Sequence, residues 1–440
     1  MKTVNVALLG FGIIGTGVIK IFKERSEFIE KKLGYKVELK TVCDLDIETD
    51  RGVSTEGLKL TTDINDILND DSIHILIELI GGYEPARTFL LKAMEKGKDV
   101  VTANKALVAV HGEELFNKAK ELNRTIGFEA STGGCIPVLR SLRESFTVNK
   151  YQYILGIVNG TCNYVLSAMS EKGSSFDGAI KEAQKLGFAE ADPTFDIEGV
   201  DSAHKASILA TMGFQKFIKF DDIYMEGIKE ISDEDIKYAK ELGYNIKLIA
   251  FIREVDGKID IRVHPAMLDE NSEIANVSGV LNAVESVGDM IGYSLMVGEG
   301  AGSLPTASAV IGDVLEIAGD FINKKNNNNG DSTIVPPLGT DISAIEQGEV
   351  LPIDKIESEY YLNFHVIDEP KVLSKVTGIL GDNNISIGSV IQQERDDGEY
   401  VPVIMLTHTS REKDIQAAIA KIKEEDYCKQ VKLIRVVDVK

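Results

Sequence analysis

Asp201 and Lys205 lie four residues apart, so on a helix they share one face, where a carboxylate could orient an amine that moves a proton. They close the stretch Gly187-Phe188-Ala189-Glu190-Ala191-Asp192-Pro193-Thr194-Phe195-Asp196-Ile197-Glu198-Gly199-Val200-Asp201-Ser202-Ala203-His204-Lys205, in which five carboxylates precede one lysine, and the apolar run Ala206 to Ala210 follows. The same spacing also suits a surface ion pair worth ~0.3–0.5 kcal/mol. A proton-transfer lysine must be partly neutral, and burial or the like charge of a second lysine would lower its pKa toward working pH. Lys105 is a candidate for that second lysine, because it ends Thr102-Ala103-Asn104-Lys105 at the close of a β-rich run, although a lone lysine is more often simply solvated.

A second constellation is Gly10-Phe11-Gly12-Ile13-Ile14-Gly15, set between an apolar run, Val4 to Leu9, and a helical pattern from Gly17 to Lys31. Glycines in that context allow a tight turn, approach of backbone to a pyrophosphate, and close helix packing, while the helix N-terminus offers free N–H groups to the anion. The bland alternative is that they only turn the chain. Asp44 ends the next β-rich run, Val37 to Cys43, where a carboxylate would accept from ribose hydroxyls and repel a 2′-phosphate, which favours NAD over NADP. Asp44 or Asp46 could equally cap a turn, and Arg51 could still reach a 2′-phosphate. Glu78 to Gly82 and Thr102 to Lys105 fall at further strand ends, and loops at carboxyl ends of parallel strands converge on one cleft.

The elements that must position these residues alternate: β at Val4–Leu9, Val37–Cys43, Ile73–Leu79 and Val100–Ala103, helix at Gly17–Lys31 and Pro85–Lys96. That order predicts a Rossmann-like doubly wound parallel sheet over residues 1–130, with a returning helix at about 303–322. Residues 131–302 have a different texture, longer helices with strands at Ile246–Arg253 and Ile259–His264, and predict an α+β catalytic and dimerisation domain. The polar run Lys324 to Gly330, followed by Pro336 and Pro337, marks a linker over 323–357. From 358 to 440 the order strand, helix, strand, strand, helix, strand predicts a ferredoxin-like module on a flexible tether. The 440 residues carry a net charge of −22, which disfavours nucleic acid and anionic membrane as partners. No run approaches the roughly 18 apolar residues of a spanning helix. The opening apolar run reads as strand, turn and helix rather than a leader, and four scattered cysteines fit a reducing cytoplasm.

Taken together, these motifs resemble the homoserine dehydrogenases that carry a C-terminal ACT domain. The resemblance rests on the Gly-rich turn, Ala103-Asn104-Lys105, Glu129-Ala130-Ser131-Thr132-Gly133-Gly134-Cys135-Ile136-Pro137, Gly156-Ile157-Val158-Asn159-Gly160-Thr161-Cys162-Asn163-Tyr164, the acidic stretch through Lys205, and Gly300-Ala301-Gly302 with Pro305-Thr306-Ala307-Ser308. It implies reversible reduction of L-aspartate 4-semialdehyde to L-homoserine with NAD or NADP, in threonine, methionine and isoleucine biosynthesis. Lys205 would be the general acid/base, Asp201 its orienting partner, and Lys105 would sit between cofactor and substrate. Glu190 and Asp196 would accept from the substrate ammonium, with Gly160 near the substrate and Gly302 near the cofactor. Glu129 and the carbonyls around Thr132, Gly134 and Ile136 resemble a sodium site, with a plain tight turn as the alternative.

Asp368-Glu369-Pro370-Lys371-Val372-Leu373 and Asn384-Ile385-Ser386-Ile387 resemble the ACT signature, which implies an amino-acid effector, threonine, held near Asp368 and Asn384 between paired modules in a homodimer or homotetramer. Lys371 stands where many of these modules have glycine. A module that only stabilises an oligomer is the bland reading. For the whole chain, a dehydrogenase of another amino-acid semialdehyde and a catalytically silent amino-acid sensor are the competing readings.

Overall fold

The structure, a computed structural model, describes residues 2–327, 332–392 and 400–437, with backbone alone for 325–327. The asparagine run beyond residue 327, and Gln393 at the end of an expected strand, lie outside the described residues. The chain interleaves two compact units, one of Met1–Gly160, Asp201–Ile223 and Leu281–Gly348, the other of Thr161–Val200, Tyr224–Val280 and Glu349–Lys440. Boundaries expected near 130, 302 and 357 do not coincide with that division.

In the first unit, six strands, β1 (Thr3–Leu9), β2 (Lys36–Cys43), β3 (Lys59–Thr61), β4 (Ile75–Glu78), β5 (Asp99–Thr102) and β6 (Ile126–Gly127), form a parallel sheet in the order β3-β2-β1-β4-β5-β6. Every residue of β4 and β5 is buried, as a sheet covered by helices on both faces requires. The order reverses beside β1, so ligand loops gather at the carboxyl ends of β1 and β4. Helix Ile13–Leu33 and the returning helix Ser303–Asn327 cover one face, packing Val18, Ile19 and Phe22 with Val310, Val314 and Ile317 onto Val4, Val6 and Leu8. Each such side chain contributes roughly 1.5–3 kcal/mol of burial. The returning helix runs through residue 327, so the polar run expected to open the linker begins as helix. Three antiparallel strands, Gly292–Glu299, Leu281–Gly288 and Tyr151–Ile157, complete this unit's sheets with a short pair, Glu346–Gln347 on Lys216–Phe217.

The second unit is built on the hairpin Tyr244–Val255 and Lys258–Asp269, twelve residues a side. Asp256 and Gly257, at φ 50° and 79°, form its two-residue turn, a conformation these residue types favour, which carries pairing to Val255 and Lys258. The strands therefore run longer than the apolar stretches alone suggest. The terminal module has the expected order, Glu357–Ile367, Val372–Asp382, Ile387–Gln392, Tyr400–Thr407, Glu412–Lys423 and Cys428–Val436.

It does not hang on a slack tether. Its last strand pairs in parallel with the hairpin, Ala266 to Arg435 and Met267 to Val436. The described part of the linker is pinned as well, with Lys120 2.6 Å from Asp341 and Glu346–Gln347 in its strand pair.

Candidate functional site

Helix Val200–Phe214 is buried from Asp201 to Met212, because its sequence is apolar or small apart from Asp201, His204 and Lys205. Lys205 Nζ donates to Asp201 Oδ2 at 2.7 Å and to the Val158 carbonyl at 2.6 Å. Their side chains are 11% and 4% exposed, so a solvated surface pair does not describe them. Lys105, the first residue of helix Lys105–Glu121, places Nζ 3.0 Å from Asp201 Oδ1. Asn159 Nδ2 donates to Oδ2 at 2.8 Å. Burial alone would raise the Asp201 pKa, but the charges of Lys205 and then Lys105 outweigh it and hold the carboxyl well below the usual range. Two lysine side chains thus share one carboxylate that stays ionised at neutral pH, leaving net positive charge where an oxyanion could form.

Lys105 is placed by a loop with its own wiring. Asn104 caps the helix, its side chain accepting from Leu107 N at 3.1 Å and donating to the Gly82 carbonyl at 2.6 Å. Thr102 Oγ1 accepts from Asn104 N and donates to Glu78 Oε2 at 2.6 Å. The other Glu78 oxygen accepts from Ile80 and Gly81 N–H, and burial pushes this carboxyl's pKa up. Thr102, Asn104 and Glu78 therefore fix the β4 and β5 loops relative to each other.

At the Gly-rich turn, an added Cβ on Gly10 would meet the Leu79 backbone at 2.7 Å, and one on Gly15 the Gly10 carbonyl oxygen at 2.2 Å. Gly12 faces open space, and helix Ile13–Leu33 starts there without a side-chain cap. An uncapped N-terminus with Ile13 76% exposed above it is a cradle that fits a dinucleotide phosphate and its apolar edges. Ile14 lies against the core below. Asp44 Oδ2 accepts from Phe11 N at 2.6 Å and Oδ1 from Asp46 N at 2.9 Å, so Asp44 both binds the turn and sits at the β2 end. Asp46 does cap a turn, accepting from Glu48 and Thr49. Arg51 lies 4.6 Å over the Phe11 ring and pairs with Asp46 at 3.1 Å. Gly302, at φ 127°, precedes Ser303, whose hydroxyl donates to the Ile13 carbonyl at 2.7 Å, which brings Gly302 beside the turn.

Gly160 opens helix Gly160–Lys172 directly after Val158 and Asn159. In the second unit, Asp196 accepts from Thr161 Oγ1 at 3.0 Å and lies in the short helix Thr194–Ile197, while Glu190 is exposed. At the expected cation site, Glu129 accepts from Leu139 and Arg140 N–H at 3.0 and 2.7 Å, and burial with the neighbouring Asp313 pushes its pKa up to about 8. Thr132 Oγ1 is buried without a partner among the described residues, and Gly133 and Gly134 take positive φ. Ile136 is buried, its carbonyl accepting from Val138 N at 2.8 Å. An orphaned hydroxyl beside a buried, hard-to-charge carboxyl fits an oxygen-ligated cation, although no cluster of three acidic, His or Cys ligands occurs among the described residues. In the terminal module Asp368 is half-buried and Asn384 exposed at φ 61°. Lys371 is exposed at φ 79°, so this lysine keeps a backbone conformation that glycine favours.

Three participants carry no assigned role in the sequence reading: the Val158 carbonyl, Asn159 and Glu78. Val158 and Asn159 stand in a quoted motif, but a carbonyl's role leaves no trace in residue type. Glu78 ends a buried strand, which is the one sequence signal that could have marked it.

Comparison with known proteins identifies the family. The homoserine dehydrogenase family profile matches residues 137–315, the homoserine dehydrogenase NAD-binding domain residues 10–129, and the ACT domain residues 360–426. The homoserine dehydrogenase of Neisseria gonorrhoeae is 40% identical, covering 99% of both chains. A crystal structure of a homoserine dehydrogenase from Thiobacillus denitrificans superposes with a TM-score of 0.92 at 40% identity, covering 100% of this chain and 99% of that one. A hyperthermophilic archaeal homoserine dehydrogenase in complex with NADPH matches at a TM-score of 0.62 and 27% identity, over 72% of this chain and 98% of its own. With near-complete coverage at this identity, and with both catalytic and cofactor domains matched, the chain belongs to the homoserine dehydrogenase family, NAD(P)-dependent oxidoreductases that interconvert L-aspartate 4-semialdehyde and L-homoserine.

Proposed function

We propose that Lys205 is the acid/base of this reaction, oriented by Asp201, with Lys105 at the carboxylate's other oxygen. The carrying observation is directional: an ammonium has three donors, and Asp201 Oδ2 and the Val158 carbonyl take two of those on Lys205. The third is left for the substrate oxygen. When bound, the nicotinamide supplies or accepts the hydride at the carbonyl carbon. Lys205 gives its proton to the aldehyde oxygen in reduction and takes the hydroxyl proton in oxidation, while the net positive charge beside Asp201 favours the developing oxyanion. Glu190 and Asp196 accept from the substrate ammonium, and Gly160 lets backbone approach the substrate. An initial-rate assay with homoserine and each oxidised cofactor tests the reading, and absence of reduced cofactor in both would sink it.

NAD is used at least as well as NADP. The support is Asp44, pinned to Phe11 N at the end of β2, where its charge opposes a 2′-phosphate. The ratio of kcat/KM for the two cofactors is expected to favour NAD, and a clear NADP preference would mean that Arg51, over the Phe11 ring, sets the choice.

Glu129, Thr132, Gly134 and Ile136 hold sodium, with Glu129 supplying the charge. Sodium chloride, against equal choline chloride, is expected to raise the melting temperature, and Glu129→Gln to remove the difference. Equal melting curves in the two salts would leave only a tight turn.

The terminal module senses threonine and pairs with a second copy in a homodimer or homotetramer. Support comes from the ACT match and from the half-exposed strand Ile387–Gln392, where Val390 is 43% exposed. Full-length enzyme is expected to bind threonine by calorimetry and lose activity at millimolar effector. Lys371→Gly should keep that response and gain ~1 kcal/mol by relieving a left-handed residue. No heat and no inhibition would end the regulatory reading. No described helix is long and apolar enough to cross a membrane, and the four cysteines are free thiols, which supports a cytoplasmic enzyme.

A further inference from the structure

The largest fully buried side chain belongs to Arg435, in the last strand of the terminal module, and the chemistry assigned so far makes no use of it. Its Nε and Nη2 donate to Glu412 at 2.9 and 2.6 Å, a bidentate pair inside the module. The remaining donors point elsewhere. Nη1 donates to Glu226 Oε2 at 2.7 Å, and Nη2 also reaches the Tyr224 hydroxyl at 3.1 Å, which itself donates to Glu226 at 2.9 Å. A buried guanidinium is costly to desolvate unless its donors are met, so this arrangement ties Tyr224 and Glu226 to the module's sheet.

Those two residues belong to a strap with little freedom. Tyr224 and Met225 pair with Arg262 and Val263 of the long hairpin, and Glu226 N donates to the Val263 carbonyl at 2.8 Å. One residue on, the strap touches the segment preceding helix Val200–Phe214. Ile228 N donates to the Ile197 carbonyl at 2.8 Å, and a Cβ on Gly227 would fall 2.3 Å from that same oxygen. Lys432, three residues before Arg435, donates to the Glu230 carbonyl at 2.9 Å and so holds the chain two residues beyond Ile228. Ile197 is the last residue of the four-residue helix that presents Asp196. So short a helix is not stable by itself and takes its position from what backs it.

We propose that Arg435 is a positioning residue for the substrate side of the reaction: through Glu226 it holds the strap Tyr224–Ile228 against Ile197 and thereby fixes the helix that carries Asp196. The inference rests on the reading of Asp196 as an acceptor for the substrate ammonium. Its consequence is selective. Loosening the strap should weaken the grip on the amino-acid substrate, whereas the dinucleotide cradle, built from β1, β2, β4 and β5, is untouched.

Glu226 is the residue to change, since its side chain is 36% exposed and its removal is tolerable. In the full-length enzyme, Glu226→Ala is expected to raise KM for homoserine about tenfold, the equivalent of about 1.4 kcal/mol, with kcat and KM for the dinucleotide within about twofold. Glu226→Gln, which still accepts from Arg435 and Tyr224, should restore most of the affinity. A merely structural role would lower the melting temperature without that split and without rescue. Gly227→Ala is the second variant, because it disturbs the contact with Ile197 while leaving every module residue in place, and the same KM rise is expected. Folded Glu226→Ala and Gly227→Ala enzymes with unchanged homoserine KM would overturn the proposal. Asp196→Ala separates the two readings: if it leaves homoserine KM unchanged, the assignment of Asp196 fails, whereas a large rise beside unaffected strap variants leaves that assignment standing and removes Arg435 from it.

Discussion

Lys205→Ala is expected to lower kcat by about a hundredfold or more while the dissociation constant for the dinucleotide stays within about twofold, since positioned acid/base groups contribute 10²–10⁴. The split follows from place. Lys205 bonds Asp201 and the Val158 carbonyl, whereas the Gly10–Gly15 turn and Asp44 form a separate network. The variant should fold, because Asp201 keeps Lys105 at 3.0 Å and Asn159 at 2.8 Å and is not left as an uncompensated buried charge. It should be less stable at neutral pH, with the gap to wild type narrowing as the medium turns acidic. A carboxyl with depressed pKa stabilises the fold above its unfolded value and loses that stabilisation as pH falls through the folded one, and Lys205 is the larger of the two charges lowering Asp201. Single-turnover rates with fluorescence titration of reduced cofactor would check both halves. A variant retaining more than about a tenth of wild-type kcat, below the usual range for acid/base groups, would remove Lys205 from proton transfer.

What the sequence made legible follows from what periodicity can carry. The parallel sheet and its Gly-rich turn stood out because buried strands are continuously apolar and the turn's glycines are sterically required at Gly10 and Gly15. Asp201 and Lys205 were visible as a pair, but burial was not: spacing of four is the same on a wet face and in a core, and only the surroundings of helix Val200–Phe214 decide. The terminal module's element order was readable, and its attachment was not. Parallel pairing of Ala266 with Arg435 joins residues far apart in sequence, and nothing local in either strand announces the partner. A polar, asparagine-rich stretch suggested a loose tether, yet the chain around it is held by Lys120 with Asp341 and by a strand pair.

That attachment changes what truncation should do. On a slack tether, cutting after Glu357 would release an unregulated but working dehydrogenase. The structure instead places residues of the module as partners for groups outside it. Asp235 accepts from Lys432 at 3.0 Å and from Asn363 and Tyr361 at 3.1 and 3.3 Å, and Glu226 accepts from Arg435 at 2.7 Å. Asp235 and the hairpin residues Arg262 and His264 are fully or nearly fully buried, and burial pushes the His264 pKa well down. Truncation would strip Asp235 of these donors, and hydrogen bonds to charged groups are worth about 1.5–3 kcal/mol each. It would also leave Ala266 and Met267 of the strand Lys258–Asp269 without their parallel partners, an exposed stretch of edge prone to pairing with other chains. A loss of about 5 kcal/mol or more is therefore expected, a fall on the order of 10 °C in melting temperature, together with growth in light scattering at micromolar protein. Thermal melts and scattering of the full-length and truncated proteins, matched in concentration, test this. A truncated chain that stays monodisperse and melts within a few degrees of the full-length enzyme would show that the seam carries no stability. If the expected loss is seen, the effector response has to be dissected by point changes in the module such as Asp368→Ala, because a truncated enzyme would confound lost regulation with a damaged second unit.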